Sequence, residues 1–371
     1  MPIYATTEAL GFWKTGHARS LAASRFVTLA HDSNDDKDNE WRTNSCAGIQ
    51  KGSTHSSFSQ HRSNFTQRLI KQGAAIVFAK LEARLILNAA GGVIENGGIS
   101  LDRHSGIPVI PGSAVKGCAR RYAIWELSQE TDTNKKAQLL ANIALIYGYG
   151  DEEWKPGRTP SDQHPHQGAS KSDFWLAMAP LENRGPDADT ARNSAWETVS
   201  PQAQTIIQQH TGTDSFPKQL SGSTAFLPAY PERDPGIDLD ILTCHHKDYY
   251  ADEKQKTATD DESPIPVIFP AVPKNTSFQF PALTIRKTTA PGLLAVAQAH
   301  LSEGLQIFGL GAKTNAGYGW FSIDSAAQSR ADNTRQEEQA RAEKDKKLAA
   351  MSDEDRTMFE LAELPHDEFV A

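Results

Sequence analysis

The sequence predicts an α+β chain in which strands and helices are joined by glycine-rich connections. Three observations lead there. From Val77 to Leu87 every odd position is apolar, while Lys80, Glu82 and Arg84 fall between them, a period of two that marks a half-buried strand. Ile107–Ile110 is a short apolar run halted by Pro111-Gly112, after which Val115, Ala119, Tyr122 and Ala123 fall on one helical face. Pro291–Leu305 is an apolar-striped helix that enters a glycine-rich turn and then a final strand, Trp320–Ile323.

The elements follow in order. Met1–Asn64 shows little regular pattern, and the acidic, Asn-rich His31–Glu40 is expected to be a loop. After the strand from Val77, Asn88–Gly98 is a glycine-rich loop. Ser113 is placed to cap a helix reaching about Ser128, and residues 135–147 form another that ends at Gly148. Asp151–Gly222, rich in Pro, Gly, Asp, Gln and His, is expected to be a long, partly mobile insertion. Ile237–Leu242 and Pro264–Phe280 return to β patterns. Ser352 and Asp355 resemble a capping box for a short helix to Leu364. Gln328–Lys347 is charged all round, which fits either a solvated helix or one that docks on a partner.

The chain's 371 residues suggest two or three domains at about 100–200 residues each. Lys and Arg number 38 against 46 Asp and Glu, so the net charge is −8 and a basic coat over the whole surface is excluded. A local basic groove is not excluded, because recognition follows the local field. Ala326–Ala371 holds 12 acidic and 7 basic residues, leaving the preceding 325 residues near neutral. Cys46, Cys118 and Cys244 lie far apart with no CxxC, which argues against a disulfide framework or zinc ribbon and for a reducing cytoplasm. No window approaches the roughly 18 apolar residues of a membrane span, so no membrane association is expected.

Two stretches carry chemistry. Phe308–Phe321 reads FGLGAKTNAGYGWF: Gly309, Gly311, Gly317 and Gly319 surround Lys313 and Thr314, with Tyr318 beside them. Glycines let backbone N–H groups approach an anion, and Lys313 adds charge. Ala312 between Gly311 and Lys313 breaks the Walker spacing, and Thr314 breaks the dinucleotide fingerprint. The turn also runs from helix to strand, the reverse of both motifs, so a polynucleotide backbone suits it better than a mononucleotide. Gly317–Phe321 partly echoes the aromatic strand of RNA-recognition modules. In Ile107–Arg121, Ser113 opens a helix whose free N–H groups favour an anion. Lys116 and Arg120 share one face with Gly117 between them, and Arg121 is offset. The bland alternatives are a strain-relieving turn and a capped amphipathic helix with solvated bases.

Histidines do not assemble into a catalytic set. His164 and His166 sit in a Pro-rich loop, and adjacent His245 and His246 on a strand face opposite sides. His245 is assigned either an RNA contact or a structural role. Asp102, beside Arg103, fits a salt bridge better than a catalytic carboxylate. No catalytic residue, metal site or cofactor is expected.

Together these stretches resemble the RAMP superfamily of CRISPR RNA-binding proteins, whose hallmark is a glycine-rich loop near the C-terminal end. Gly106–Arg120 matches the pattern G-I-P-x-I-P-G-S-x-x-K-G-x-x-R; Gly222–Tyr250 holds a D-I-L-T-x-H core; Pro264–Phe280 and Phe308–Gly319 complete the ordered set. The set is similar to the sixth-subunit family of the type III-B (Cmr) RNA-guided effector. It departs from that family at Cys244 and His246, where proline and tyrosine are expected, and at Leu227–Pro228, where an acidic residue is missing.

The resemblance implies two ferredoxin-like (βαββαβ) halves, 1–150 and 222–325, separated by the 151–221 insertion and followed by a charged helical tail, 326–371. It implies a cytoplasmic, non-catalytic subunit that grips the 3′ side of the crRNA guide and caps the backbone filament. Its partners would be guide and target RNA, the repeated backbone subunit and a neighbouring RAMP subunit. The RNA contacts would fall on Ser113, Lys116, Gly117, Arg120, Arg121, Gly309, Gly311, Lys313, Thr314, Gly317 and Tyr318. The alternative is a metal-independent endoribonuclease of the same superfamily that processes CRISPR precursor RNA, which would need a general acid and base.

Overall fold

The computed structural model describes residues 35–52, 58–91, 97–155, 172–184, 186–246, 265–286 and 288–349, together with Arg19, Thr54 and Thr257. In chain order its helices are α1 (Asp35–Lys51), α2 (Phe58–Lys71), α3 (Gly112–Gln129), α4 (Thr133–Tyr147), α5 (Asp173–Leu176), α6 (Pro186–Thr211), α7 (Leu293–Ile307) and α8 (Ser325–Ala349). The strands are β1 (Ala75–Leu81), β2 (Gly148–Tyr149), β3 (Leu220–Ser221), β4 (Thr224–Phe226), β5 (Tyr230–Pro231), β6 (Asp238–Cys244), β7 (Ile265–Ala271), β8 (Ser277–Thr284) and β9 (Phe321–Ile323).

The central sheet has the order β4-β8-β1-β9, with β5 also on β8, and every pairing is antiparallel. Alternation in β1 sets the register: Val77 lies opposite Phe280 and Ala79 opposite Phe278. Phe278 and Phe280 are fully buried, and Phe321 of β9 meets Phe280 edge-on at 5.5 Å. Helices α3 and α7 pack on each other, and their buried faces join this core. Gly304 of α7 permits the contact, since a Cβ there would lie 2.8 Å from the Cys118 carbonyl.

This arrangement changes one expectation. Taken in sequence, β1–α3–β4–β8–α7–β9 is a single βαββαβ unit whose strands stand in the spatial order fourth, first, third, second. Two such halves were implied; the central sheet is built as one such unit, to which N-terminal and C-terminal stretches both contribute. The β6–β7 ribbon is a separate two-stranded excursion between its second and third strands.

The second face of the sheet is covered too. Leu69, Ile70 and Ala74 pack with Ile76 and Phe78 of β1 and with Ala331 of α8. Gln328 of α8 accepts a hydrogen bond from the Phe78 backbone N–H at 3.2 Å. The start of the charged helix therefore docks on its own chain rather than standing solvated. The helix expected over 352–364 lies outside the described residues.

Other differences have clear physical reasons. The loop expected at His31–Glu40 is helical from Asp35, and Met1–Asn64 contains α1 and the first half of α2. Helix α2 was hidden because its inner face carries Arg62 and Thr66 among Phe58, Leu69 and Ile70. Ser113 does not cap α3; Pro111 holds the cap position and no side-chain cap bond forms. Gly112 is required there for close approach, as a Cβ would meet the Phe226 carbonyl at 2.3 Å. The stretch expected as a loop-like insertion contains the 26-residue α6. Trp196, Val199, Ala203 and Ile207 of α6 are buried at helical spacing and belong to the main core. No described helix is long and apolar enough to cross a membrane.

Candidate nucleic-acid interface

The packing of α3 on α7 brings the two basic stretches together, because the glycine-rich turn starts where α7 ends. Cys118 Sγ lies 3.6 Å from the Gly309 carbonyl oxygen, and the Arg121 guanidinium stacks over the Phe308 ring at 4.4 Å. Burial pushes the Cys118 thiol up to about 12, with Arg121 opposing the rise, so this cysteine is a neutral packing group.

The turn is built by backbone. The Leu310 N–H donates to the Gly319 carbonyl at 2.8 Å, the Ala312 N–H to Ile86 at 2.9 Å, and the Gly319 N–H to Arg84 at 2.8 Å. These bonds tie it to the chain just after β1. A Cβ on Gly311 would lie 2.6 Å from the Ile86 carbonyl, and one on Gly319 only 1.9 Å from that of Leu310. Gly309 is buried in the same region, where a Cβ would lie 2.7 Å from the Gly319 carbonyl. Gly309, Gly311 and Gly319 are therefore held to glycine by the fold itself. Gly317 differs: it too has positive φ, +92°, but a Cβ there would meet open space.

The turn's tip is its more exposed part. Lys313 is exposed in left-handed backbone (φ 59°) and opens the short 3-10 turn Thr314–Ala316. The backbone N–H groups of Lys313, Thr314 and Asn315 make no hydrogen bond among the described residues. A cation, a half-buried threonine and unpaired N–H groups thus share one edge. Tyr318 does not: its hydroxyl donates to Asp240 Oδ2 at 2.8 Å, and its ring meets Phe269 at 6.1 Å. Arg84 joins this network with bonds of 3.1 Å to Asp238 and 3.2 Å to Asp240. Tyr318 is thereby a strut between the turn and the β6–β7 ribbon. The echo of an RNA-recognition strand fails as well, since Phe321 is core and the sheet face is covered.

On α3 the expected residues separate. Ser113 and Gly117 are exposed. Lys116 Nζ donates to the Tyr147 carbonyl at 2.8 Å, and burial, helped by Arg120 and opposed by Glu153, lowers its pKa. Arg120 pairs with Glu153 and with Asp173, the latter at 2.5 Å. Lys116, Arg120 and Glu153 line an open cavity of about 490 Å³ with the backbone of Gly148 and Gly222. Arg120 is thus paired with two carboxylates of its own chain, whereas Arg121, offset from that face, is exposed. His245 is exposed, with Nδ1 3.1 Å from the Thr243 carbonyl oxygen. His164 and His166 lie outside the described residues.

The sequence reading missed the carboxylates: Glu153 and Asp173 opposite Arg120, and Asp238 and Asp240 opposite Arg84. The second pair was legible, since residues two apart on a strand share a face. The first was not, since Glu153 and Asp173 come from separate turns of the supposed insertion.

With this geometry in place, comparison with known proteins is informative. The family model of the RAMP superfamily matches residues 89–322. The CRISPR system Cmr subunit Cmr6 of Pyrococcus furiosus is 24% identical over 269 residues, which cover 71% of this chain and 72% of that protein. A chain in the cryo-EM structure of the type III-B Cmr-beta bound to cognate target RNA is 16% identical with a TM-score of 0.43, covering 80% of this chain and 77% of its own. The crystal structure of Cmr6 from Pyrococcus furiosus is 23% identical with a TM-score of 0.31, covering 67% of this chain and 97% of its own.

Proposed function

This chain belongs to the RAMP superfamily, and on that premise we propose that it is a non-catalytic, crRNA-binding subunit of a type III-B CRISPR effector. It sits toward the 3′ side of the guide, beside another RAMP subunit and at the end of the backbone filament in the cytoplasm. The sequence similarity to a Cmr6 protein supports the assignment to that position. The observation that carries the RNA-binding role is Arg121, stacked at 4.4 Å on Phe308 at the base of the glycine-rich turn, the same turn whose tip exposes Lys313 and Asn315. Cationic charge beside unpaired N–H groups suits phosphate oxygens in any sequence context.

The mechanism is holding rather than cutting. Arg121 and Lys313 neutralise backbone phosphates, and the tip's N–H groups donate to their oxygens. The glycine-rich turn, fastened to Arg84 and Ile86, keeps those groups fixed, so little conformational entropy is lost on binding. His300 is enclosed between Tyr147 and Glu126, each at 3.1 Å, where it serves the core.

Arg121→Ala with Lys313→Ala tests the reading. Each phosphate that a single strand no longer has neutralised lowers the slope of log affinity against log salt by about 0.7, so the double variant should lower it by about 1.4. The weakening should be nearly the same for unrelated RNA sequences. An unchanged slope, measured by fluorescence anisotropy from low to moderate salt, would contradict it.

A further inference from the structure

A second cavity, of about 410 Å³, lies between α2, the turn after Leu101 and strand β5. Its size falls within the range of about 300–1,000 Å³ that holds small ligands. Phe58, Arg62 and Phe65 come from α2, Asp102 and Ser105 from the turn, and Tyr230 from β5. None of the phosphate-binding residues above belongs to it.

Arg62 is its central anomaly. The residue is 8% exposed, with its guanidinium 5.1 Å from the Phe65 ring and 4.3 Å from the Tyr230 ring. Its Nε and Nη2 are buried with no hydrogen-bond partner among the described residues. Burial lowers its pKa, with Tyr230 and Asp102 opposing. A buried charge that lacks acceptors is costly unless a ligand brings one. Phe65, by contrast, is 41% exposed despite its apolar ring.

Asp102 supplies the complementary group. Its Oδ1 accepts from Ser105 N at 2.8 Å, Ser105 Oγ at 2.7 Å and His104 N at 3.2 Å. Its Oδ2 accepts from the Tyr230 hydroxyl, at 3.1 Å, which leaves one acceptor position. Arg62 and Asp102 together are close to neutral, so the cavity is not built for a bare phosphate. It suits a flat, uncharged heteroaromatic ring with an acceptor and an N–H along one edge.

We propose that this cavity receives one unstacked nucleobase of the bound RNA, stacked on Phe65 and met at its edge by Arg62 and Asp102. The proposal rests on the RNA-binding reading and adds a base site to its phosphate contacts. Each of the four bases presents an N–H donor beside an acceptor on one edge, and each has a π-face, so the site tolerates any sequence. A protein that holds guides of differing sequence needs that tolerance.

The test uses the full chain and a 12-nucleotide single-stranded RNA, with an abasic site moved through it position by position. Phe65→Ala is the primary variant because the exposed ring can be removed without opening the core. It should weaken RNA binding about 5- to 150-fold, the effect of losing one base–aromatic stack, while leaving the salt slope unchanged. In the wild-type chain one abasic position should cost more than its neighbours, and in Phe65→Ala that excess should vanish. Arg62→Met, checked for an unchanged melting temperature, should give the same pattern. Unchanged affinity in Phe65→Ala, or a persisting abasic penalty, overturns the base site while leaving the phosphate contacts standing. Binding of a free nucleoside monophosphate with no effect of Phe65→Ala on RNA also overturns it. If the wild-type chain fails to bind the RNA at all, both readings fall.

Discussion

Replacing Gly319 with alanine is expected to destabilise the protein by more than about 3 kcal/mol. Left-handed backbone costs a non-glycine residue about 1–3 kcal/mol on its own. At Gly319 (φ +69°) the new Cβ would also sit 1.9 Å from the Leu310 carbonyl oxygen, a backbone atom that cannot swing aside. Relief requires breaking the Leu310–Gly319 and Gly319–Arg84 hydrogen bonds, both 2.8 Å, which fasten the turn to the end of β1. Gly317→Ala is the matched control: φ is +92°, but no atom lies within 4 Å of the added Cβ, so only the backbone penalty applies. Urea unfolding of the two variants should separate them clearly. Equal midpoints would mean that the turn adapts and that its close contacts do not hold the fold.

The second large effect is expected in the segment that composition marks as an insertion. Phe174→Ala should cost about 3–5 kcal/mol, the range for truncating a buried aromatic ring. Phe174 is fully buried, meets Trp154 edge-on at 5.5 Å and lies under the Arg120 guanidinium at 5.7 Å. Its removal should also loosen the pairing of Arg120 with Asp173 on the same short helix. Thermal melting is the simplest readout. A change within about 0.5 kcal/mol, as at an ordinary surface site, would show that 172–184 is dispensable decoration.

These two cases mark where the sequence was legible and where it was not. The alternation from Val77 was plain because one face of β1 meets only apolar groups, Phe278 and Phe280 among them. The helix ending at Gly148 was plain because a glycine closes it, and Gly148 takes positive φ, 76°, which other residues rarely adopt. Helix α6 escaped notice because Pro201 lies inside it and its four buried apolar residues are spread over twelve positions. Phe174 and Trp175 are a compact apolar pair flanked by polar loops, and a local pattern cannot tell such a pair from an exposed island. The single βαββαβ unit was hidden for a different reason: β4 and β8 lie about 50 residues apart, with the β6–β7 ribbon between them, so pairing had to be seen in space.

The candidate site divides in the same way. Residue types were legible: lysine, arginine and glycine around two turns, in an order that resembles one family. Which cations stay free was not, because that depends on distant carboxylates. Arg120 is neutralised by Glu153 and Asp173, Lys116 is held by the Tyr147 carbonyl, and Tyr318 is bonded to Asp240. The remaining set is smaller, Arg121 and the tip at Lys313, with Ser113 and Gly117 at the start of the same helix. Arg62, far from either motif, drew no attention because an arginine on a polar helix looks solvated until its burial is known.

The central claim is that this chain holds guide RNA within a larger assembly and does not cut it. The most direct measurement is to co-express the full chain with its genomic neighbours, purify the complex through a tag on this chain, and sequence the RNA that comes with it. The account predicts several RAMP-type proteins in fixed ratio with a short RNA derived from CRISPR repeats, and intact repeat RNA after incubation with this chain alone. A chain that purifies without RNA or partners, or that cleaves repeat RNA by itself in the absence of metal, would contradict it.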